Sequence, residues 1–313
     1  MQFYLLGAVN KSGNYFFAYL ALTTVSIIWG TTYLVLRMGV LEFPPFLFTA
    51  IRQVIAGVLL LTLLLILRTP LQLSGRYILH QSVAGFLLIT LGNGLVAWSE
   101  VHIPSGVAAV LCSSLPVAVI LINLVIFRER PGGIIIAGTL LGLAGMLLMF
   151  SEHLTELGLL EYRLGIVLTL VAVLSWATGS IWLKNKHQQS NPFVNAALQM
   201  LAGGLFCLLL SPLVDSWEKV TWTHTTFFAL AYLILFGSLL AYASYLYALR
   251  KLPVSVVSLY AYINPVVAVV LGWLVLDEKL NLRIVLSIAI VLAGIFLVNR
   301  GHYFFRATEK KSS

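Results

Sequence analysis

The sequence predicts an all-α integral membrane protein of ten transmembrane helices, folded as two inverted-topology five-helix repeats. Three observations carry this prediction: an apolar composition, ten long apolar runs, and an internal recurrence whose loop charges reverse. Hydrophobic residues make up 60% of the 313-residue chain and charged residues 10%, with a mean hydropathy of +0.98. Soluble domains carry roughly 25% charged residues, so this chain lacks the polar surface to cover its core in water. A spanning helix needs about 20 apolar residues, and ten spans of about 23 leave only short loops and tails. No room remains for a soluble domain.

The apolar runs fall near 16–39, 46–68, 79–100, 104–127, 134–150, 165–184, 193–214, 225–249, 254–276 and 281–299. All are too long for strands, and in hydrocarbon the backbone must satisfy its own hydrogen bonds, so each run is predicted to be a helix. Pro44-Pro45, Pro70, Pro104, Pro131-Gly132-Gly133, Asn191-Pro192, Pro212 and Pro253 punctuate the breaks. Pro116 and Pro265 lie inside runs, where a missing N–H predicts kinks in the fourth and ninth helices. The segment Met1–Gly13 has no basic start or cleavage site, so the first run is expected to be a retained span. Cys112 and Cys207 sit in apolar runs and are expected to pack as small hydrophobes.

With both termini placed in the cytoplasm, thirteen basic residues fall on that side, among them Arg68, Arg76, Arg128, Arg130, Lys184, Lys186, Arg250 and Lys251. Five fall outside, and Arg52 alone lies within a span. Basic loops stay cytoplasmic, which sets the orientation. The net charge of +8 is therefore read as a topology signal, and no nucleic-acid partner is expected. Multi-pass insertion in the plasma membrane follows.

The halves recur. Trp29 and Pro45 return as Trp176 and Pro192 after a shift of 147, and Pro104, Pro116, Glu129 and Gly145 return as Pro253, Pro265, Glu278 and Gly294 after a shift of 149. Five spans per copy would thread the second copy upside down, and the charges agree. The basic loop Arg128-Glu129-Arg130 has the acidic counterpart Asp277-Glu278-Lys279, and acidic Glu100 has the basic counterpart Arg250-Lys251. Many secondary transporters share this plan. The organisation expected is one repeat over 16–150, a second over 165–299, and a cytoplasmic tail over 300–313.

Two segments carry a family likeness: "PSGVAAVLCSSLPVAVILINLVIFRERPGGIIIAGTLLGLAGMLL" from Pro104 and "PVSVVSLYAYINPVVAVVLGWLVLDEKLNLRIVLSIAIVLAGIFLV" from Pro253. Each has a mid-helix proline, a glutamate at the helix end and a late glycine. With "IIWGTTYL" in the first helix and "FTAIRQV" in the second, they resemble the EamA-type members of the drug/metabolite transporter superfamily over nearly the whole chain. Ser287 stands where the first copy has Gly138, which predicts looser packing of the tenth helix. The resemblance implies a cavity near the bilayer midplane between the repeats. It also implies transport of small metabolites, often amino acids or related compounds and frequently as efflux, without a cofactor.

Several residues could line such a cavity. Arg52 lies about 9 Å into the second span by helical rise, where facing lipid would cost several kcal/mol. It is read as a contact for a substrate carboxylate, or as a snorkelling or structural cation. Its counterpart is Gln199. Asn93, Ala97 and Glu100 share a face of the third helix. Glu100 could carry a proton or be a solvated interfacial acid. Trp29 with Thr32 and Tyr33, and Trp176 with Ser175 and Ser180, could wall a pocket with polar tips, or the tryptophans could pack between helices or sit in an interfacial belt. Tyr242 and Tyr245 share one face, as do Tyr260 and Asn264 just before Pro265. Glu129 and Glu278 are read as favouring a helix N-terminus, and Gly138, Gly142 and Gly145 as a stripe for close packing.

None of the six histidines pairs at helical spacing, and no phosphate loop or GxSxG is present, so neither an enzyme, nor built-in ATP hydrolysis, nor a metal site is expected. A secondary transporter of a small solute in the lipid bilayer is the leading reading, acting as a monomer or homodimer. A passive channel is the alternative. In the carrier reading, the two bundles rock around a midplane site and the helices kinked at Pro116 and Pro265 act as gates.

Overall fold

The computed structural model describes residues 2–71, 73–126, 128, 131–149, 151, 160–186, 191–276 and 282–312. The described chain is helical throughout, with no strand. In order the helices are α1 (Gln2–Val40), α2 (Pro45–Ile66), α3 (Gly75–Gly85), α4 (Leu95–His102), α5 (Ser105–Cys112), α6 (Leu115–Ile126) and α7 (Gly133–Met149). They continue with α8 (Leu160–Lys186), α9 (Pro192–Val214), α10 (His224–Tyr232), α11 (Ala243–Lys251), α12 (Val254–Val257), α13 (Tyr260–Leu276) and α14 (Leu282–Ser312). Two π-helical segments, Phe86–Gly94 and Leu233–Tyr242, join α3 to α4 and α10 to α11 without a break. Eight helical stretches among the described residues are long and apolar enough to cross a membrane, and Gly133–Met149 and Val254–Val267 are shorter apolar helices.

The apolar side chains divide between an interior and an outer face. Leu88, Ile89, Met200 and Tyr245 are buried, whereas Phe16, Ile66, Val125, Leu209 and Leu213 are more than 60% exposed. In water such a surface would be a severe liability. In a bilayer it is the lipid-facing side of the bundle.

Local chemistry explains the ends. Pro45 and Pro192 begin α2 and α9, where a missing N–H costs nothing. Asp215 joins those helices: its carboxylate accepts from Phe46 N at 3.3 Å, from Leu47 N at 2.8 Å and from the Ser211 hydroxyl at 2.7 Å. A carboxylate at the start of α2 satisfies orphan donors and favours the positive end of the helix. Thr223 caps α10 and bonds to Glu42 as well. Beyond α2, Thr69 N donates to Leu64 O and Arg68 N to Leu65 O, a Schellman closure with Arg68 at φ 52° where glycine is usual.

α7 packs lengthwise against α14, and the glycines allow it. A Cβ on Gly138 would lie 2.8 Å from the Gly294 carbonyl, and one on Gly294 would lie 2.6 Å from the Gly138 carbonyl. The stripe expected on the fifth span therefore meets a glycine on α14. Ser287 is fully buried and folds its hydroxyl back onto Arg283 O at 2.8 Å.

Several boundaries differ from the sequence expectations. α1 begins at Gln2, well before the apolar run, and α14 continues through the segment expected as a tail. In the fourth run the chain breaks at Ser113–Ser114, ahead of Pro116, which occupies the first turn of α6. Both serine hydroxyls bond back to carbonyls of α5, Ser113 to Val110 O and Ser114 to Leu111 O at 2.6 Å each, and so compete with helix continuation. Pro265 lies inside α13, and the break in that run falls earlier, at Ser258–Leu259. Glu129 and Glu278 lie outside the described residues.

Candidate functional site

Where α1, α2, α4, α5, α6, α8, α13 and the first π-helical segment converge, they line a partly open cavity of about 80 Å³. Trp29, Tyr33, Arg52, Asn93, Trp176 and Tyr260 are among its lining residues. Seven of the sequence candidates (Trp29, Thr32, Tyr33, Arg52, Asn93, Trp176 and Tyr260) thus meet at one place, although up to 231 positions separate them along the chain.

Aromatic rings form one wall. Trp29 meets Trp176 edge to face, with centroids 5.4 Å apart, and meets Tyr260 at 4.8 Å and Tyr245 at 5.4 Å. Buried indole N–H groups need acceptors. Trp29 Nε1 donates to Gly237 O at 3.0 Å and Trp176 Nε1 to the Tyr245 hydroxyl at 3.1 Å, while Ser180 also bonds to that hydroxyl. These partners fix the ring planes, so the wall is preorganised rather than loosely greasy.

Arg52 forms the polar side. It is 4% exposed, so it neither snorkels nor faces lipid. Its Nε donates to Ser238 Oγ at 2.9 Å. The second π-helical segment makes room for the guanidinium, because a Cβ on Gly237 would lie 2.8 Å from Arg52 Nη2. One wide turn thereby supplies an acceptor to Trp29, a partner to Arg52 and the space beside both. π-Helical turns free backbone groups and redirect side chains, which is why they recur at functional positions.

Glu100 is fully buried, and neither carboxylate oxygen has a hydrogen-bond partner, so it is no solvated interfacial acid. Arg37 and Arg52 are the cations within electrostatic reach. Yet Arg37 Nη1 is spent on the carbonyls of Glu100, at 2.9 Å, and of Ile103.

The remaining candidates sit beside the cavity. Gln199 Nε2 donates to Gln81 Oε1 and the Tyr242 hydroxyl donates to Gln199 Oε1, both at 2.6 Å. Asn264, with its amide oriented to satisfy both atoms, donates to Ser26 O and Tyr260 O at 2.9 Å and ties α13 to α1. Pro116 lies one residue past Leu115, itself a lining residue, whereas Pro265 lies farther along α13. Cys112 also lines the cavity, although the sequence marked it only as a small hydrophobe, since nothing in a uniformly apolar run marks which face turns inward. Among the described residues no three His, Cys, Asp or Glu side chains gather as a metal-ligand set.

A bundle of apolar helices with an aromatic and polar cavity inside is the construction of a membrane transporter, and comparison with known proteins agrees. The chain belongs to the EamA-like transporter family, which it matches over residues 16–151 and 163–300. Its relatives include the uncharacterized inner membrane transporter YedA of Escherichia coli K12, 33% identical over 290 residues and 92% of each chain. The uncharacterized transporter YoaV of Bacillus subtilis is 25% identical over 89% of this chain and 95% of its own. The uncharacterized transporter sll0355 of Synechocystis is 28% identical over 90% and 89%. A solved crystal structure has the same fold, with a TM-score of 0.73 at 20% identity over 90% of this chain and 95% of that one. The protein is thus a multi-pass membrane transporter rather than an enzyme, and it acts on small solutes.

Proposed function

We propose that this protein is a secondary carrier that exports amino acids or related compounds by alternating access. Its ten spans would form two inverted repeats, 16–150 and 165–299, with both termini and the tail 300–313 in the cytoplasm. Trp29, Arg52, Asn93, Glu100, Trp176, Gln199, Tyr242, Tyr260 and Asn264 would form the substrate site and its support, with Pro116 and Pro265 at the gating helices.

The observation that carries this reading is the pairing of Trp29 with Trp176, residues 147 apart that wall one cavity. Recurrence of the helices supports the repeat. α2 and α9 begin 147 residues apart, as do the two π-helical segments, and α5 and α12, like α7 and α14, begin 149 apart. A recurring bond supports it too. Arg37 donates to the carbonyls of Glu100 and Ile103 at the end of α4. Lys184, its counterpart at a shift of 147, donates to Leu249 O and Leu252 O at 2.9 Å at the end of α11. Cations there offset the negative end of a helix. In inverted copies the two clamps would lie at opposite membrane faces, as two alternating closures require.

Purified protein in liposomes tests the proposal with labelled neutral L-amino acids. A carrier gives saturable flux and counterflow against unlabelled solute. Flux that rises linearly with concentration, without counterflow, would indicate a channel.

A further inference from the structure

The cavity offers a solute a single charge. Of its described lining residues Arg52 alone is charged, and no acid is among them. Glu100, the acid within electrostatic reach of Arg52, has no exposed surface and does not line the cavity. Half of the guanidinium is unengaged. Among the described residues its hydrogen bond runs from Nε to Ser238 Oγ at 2.9 Å, which leaves the Nη1–Nη2 edge as a flat fork of donors, the shape that matches a carboxylate. Asn93 is the second unengaged group. It is half-buried, lines the cavity and makes no hydrogen bond to a described residue. Its carboxamide is uncharged, a donor and an acceptor together. The rings do not replace the missing anion. Trp29, Trp176 and Tyr260 are each 9% exposed or less, and Trp29 is packed by the rings of Trp176, Tyr245 and Tyr260 within 5.4 Å. They close a wall rather than open a cage around a cation. A buried charge costs heavily unless it is paired. A carboxylate finds its pair here, and an ammonium does not.

We infer that the solute of this cavity is a small carboxylate without a charged amine, the 2-hydroxy or 2-oxo counterpart of an amino acid, with its carboxylate on the Nη edge of Arg52 and its uncharged 2-oxygen on the Asn93 carboxamide. This rests on the carrier reading above and selects, from amino acids and related compounds, the related compounds. The carboxylate takes two parallel N–H bonds from the guanidinium. A 2-oxo group accepts from the amide nitrogen of Asn93, and a 2-hydroxyl also has a proton to donate to its oxygen. Leu36, Val96, Leu115 and Val173, the apolar part of the lining, suit the carbon chain. An amino acid of the same skeleton brings the same carboxylate and the same chain, but its ammonium gives up water for neutral partners only. Asn93 is thereby a specificity-determining residue, which reads the group on carbon 2.

The test is labelled counterflow by the full chain in liposomes, with the flux through protein-free liposomes subtracted. Two matched sets serve as probes: L-lactate, pyruvate and L-alanine, and L-2-hydroxyisocaproate, 2-oxoisocaproate and L-leucine. Within each set only the group on carbon 2 changes. The hydroxy and oxo acids should exceed the amino acid in Vmax/KM by about 10–100-fold, the worth of a lost charge partner. Asn93→Asp keeps the side-chain shape and supplies the missing anion, so it should move that ratio toward the amino acid by about tenfold or more. Saturable counterflow that favours the amino acids, or is equal within each set, overturns the inference and leaves the carrier reading standing. The ranking in the unaltered protein decides this whether or not the variant folds. An unchanged ratio in an Asn93→Asp protein of normal unfolding temperature also overturns the two-point hold. Flux of every probe that rises linearly with concentration, without counterflow, removes the carrier reading and the inference together. If no probe moves, the cavity takes neither kind of carboxylate and the inference falls.

Discussion

Trp29 and Trp176 meet edge to face, with centroids 5.4 Å apart and planes at 84°, although 146 residues lie between them. Each indole N–H is held, one by Gly237 O and the other by the Tyr245 hydroxyl. Trp176→Ala removes a buried ring, the edge-to-face contact and one cavity wall. Large-to-small changes of this kind cost about 3–5 kcal/mol. A lowered unfolding temperature in detergent and loss of transport are expected. Trp176→Phe, which keeps a ring but leaves the Tyr245 hydroxyl without its indole donor, should retain most of the stability.

Arg52 should discriminate among solutes. Arg52→Gln is expected to weaken transport of carboxylate-bearing solutes by about 10–100-fold, the worth of a hydrogen bond to a charged group, and that of neutral solutes less. Arg52→Lys should not restore it, because an ammonium cannot hold Ser238 through Nε and also present a flat fork to the cavity. Competition uptake with paired acid and amide analogues reads both outcomes. Equal losses for both analogues would remove Arg52 from the site.

The α7–α14 seam supplies a stability test. At Gly138 a Cβ would lie 2.8 Å from a main-chain carbonyl, whereas at Gly133 nothing lies within 4 Å. Gly138→Ala should cost about 1–3 kcal/mol through forced separation of the helices, and Gly133→Ala close to nothing. Thermal unfolding of the two variants in detergent makes the comparison.

The two in-run prolines should behave differently. Inside α13, Pro265 lacks the N–H that would bond back to Ala261, and Pro265→Ala restores it. Pro116 sits in the first turn of α6, where its missing N–H is an orphan in any case. Stiffening of α13 should slow exchange several-fold in Pro265→Ala, with a smaller change in Pro116→Ala. Unaltered rates in both variants would remove these helices from gating.

Much of this architecture was legible in the sequence because hydrocarbon allows the backbone few choices. Apolar runs marked the helices, and the recurrence brought Trp29 and Trp176 forward as a pair. Arg52 stood out because a lone cation in a span needs a buried partner. The π-helical segments left no mark, since Phe86–Gly94 and Leu233–Tyr242 read as mainly apolar helix and the few polar residues in them, Asn93 and Ser238 among them, do not reveal a widened turn. Nor did the exact place of the break at Ser113–Ser114, where two hydroxyls turn back to carbonyls just ahead of Pro116. Asp215 and Lys184 looked like ordinary loop charges, and their partners, the start of α2 and the end of α11, are far away in sequence. Glu100 was visible as an acid near a span end, but its burial follows from how α1, α2 and α5 close around it.

The inverted repeat is tested most directly at Arg76 and His224, both exposed and each in the first turn of its helix, α3 or α10. In a background carrying Cys112→Ser and Cys207→Ser, a membrane-impermeant maleimide should label His224→Cys in intact cells, and Arg76→Cys only after the cells are opened. Labelling of both positions from the same side of the membrane would contradict the account.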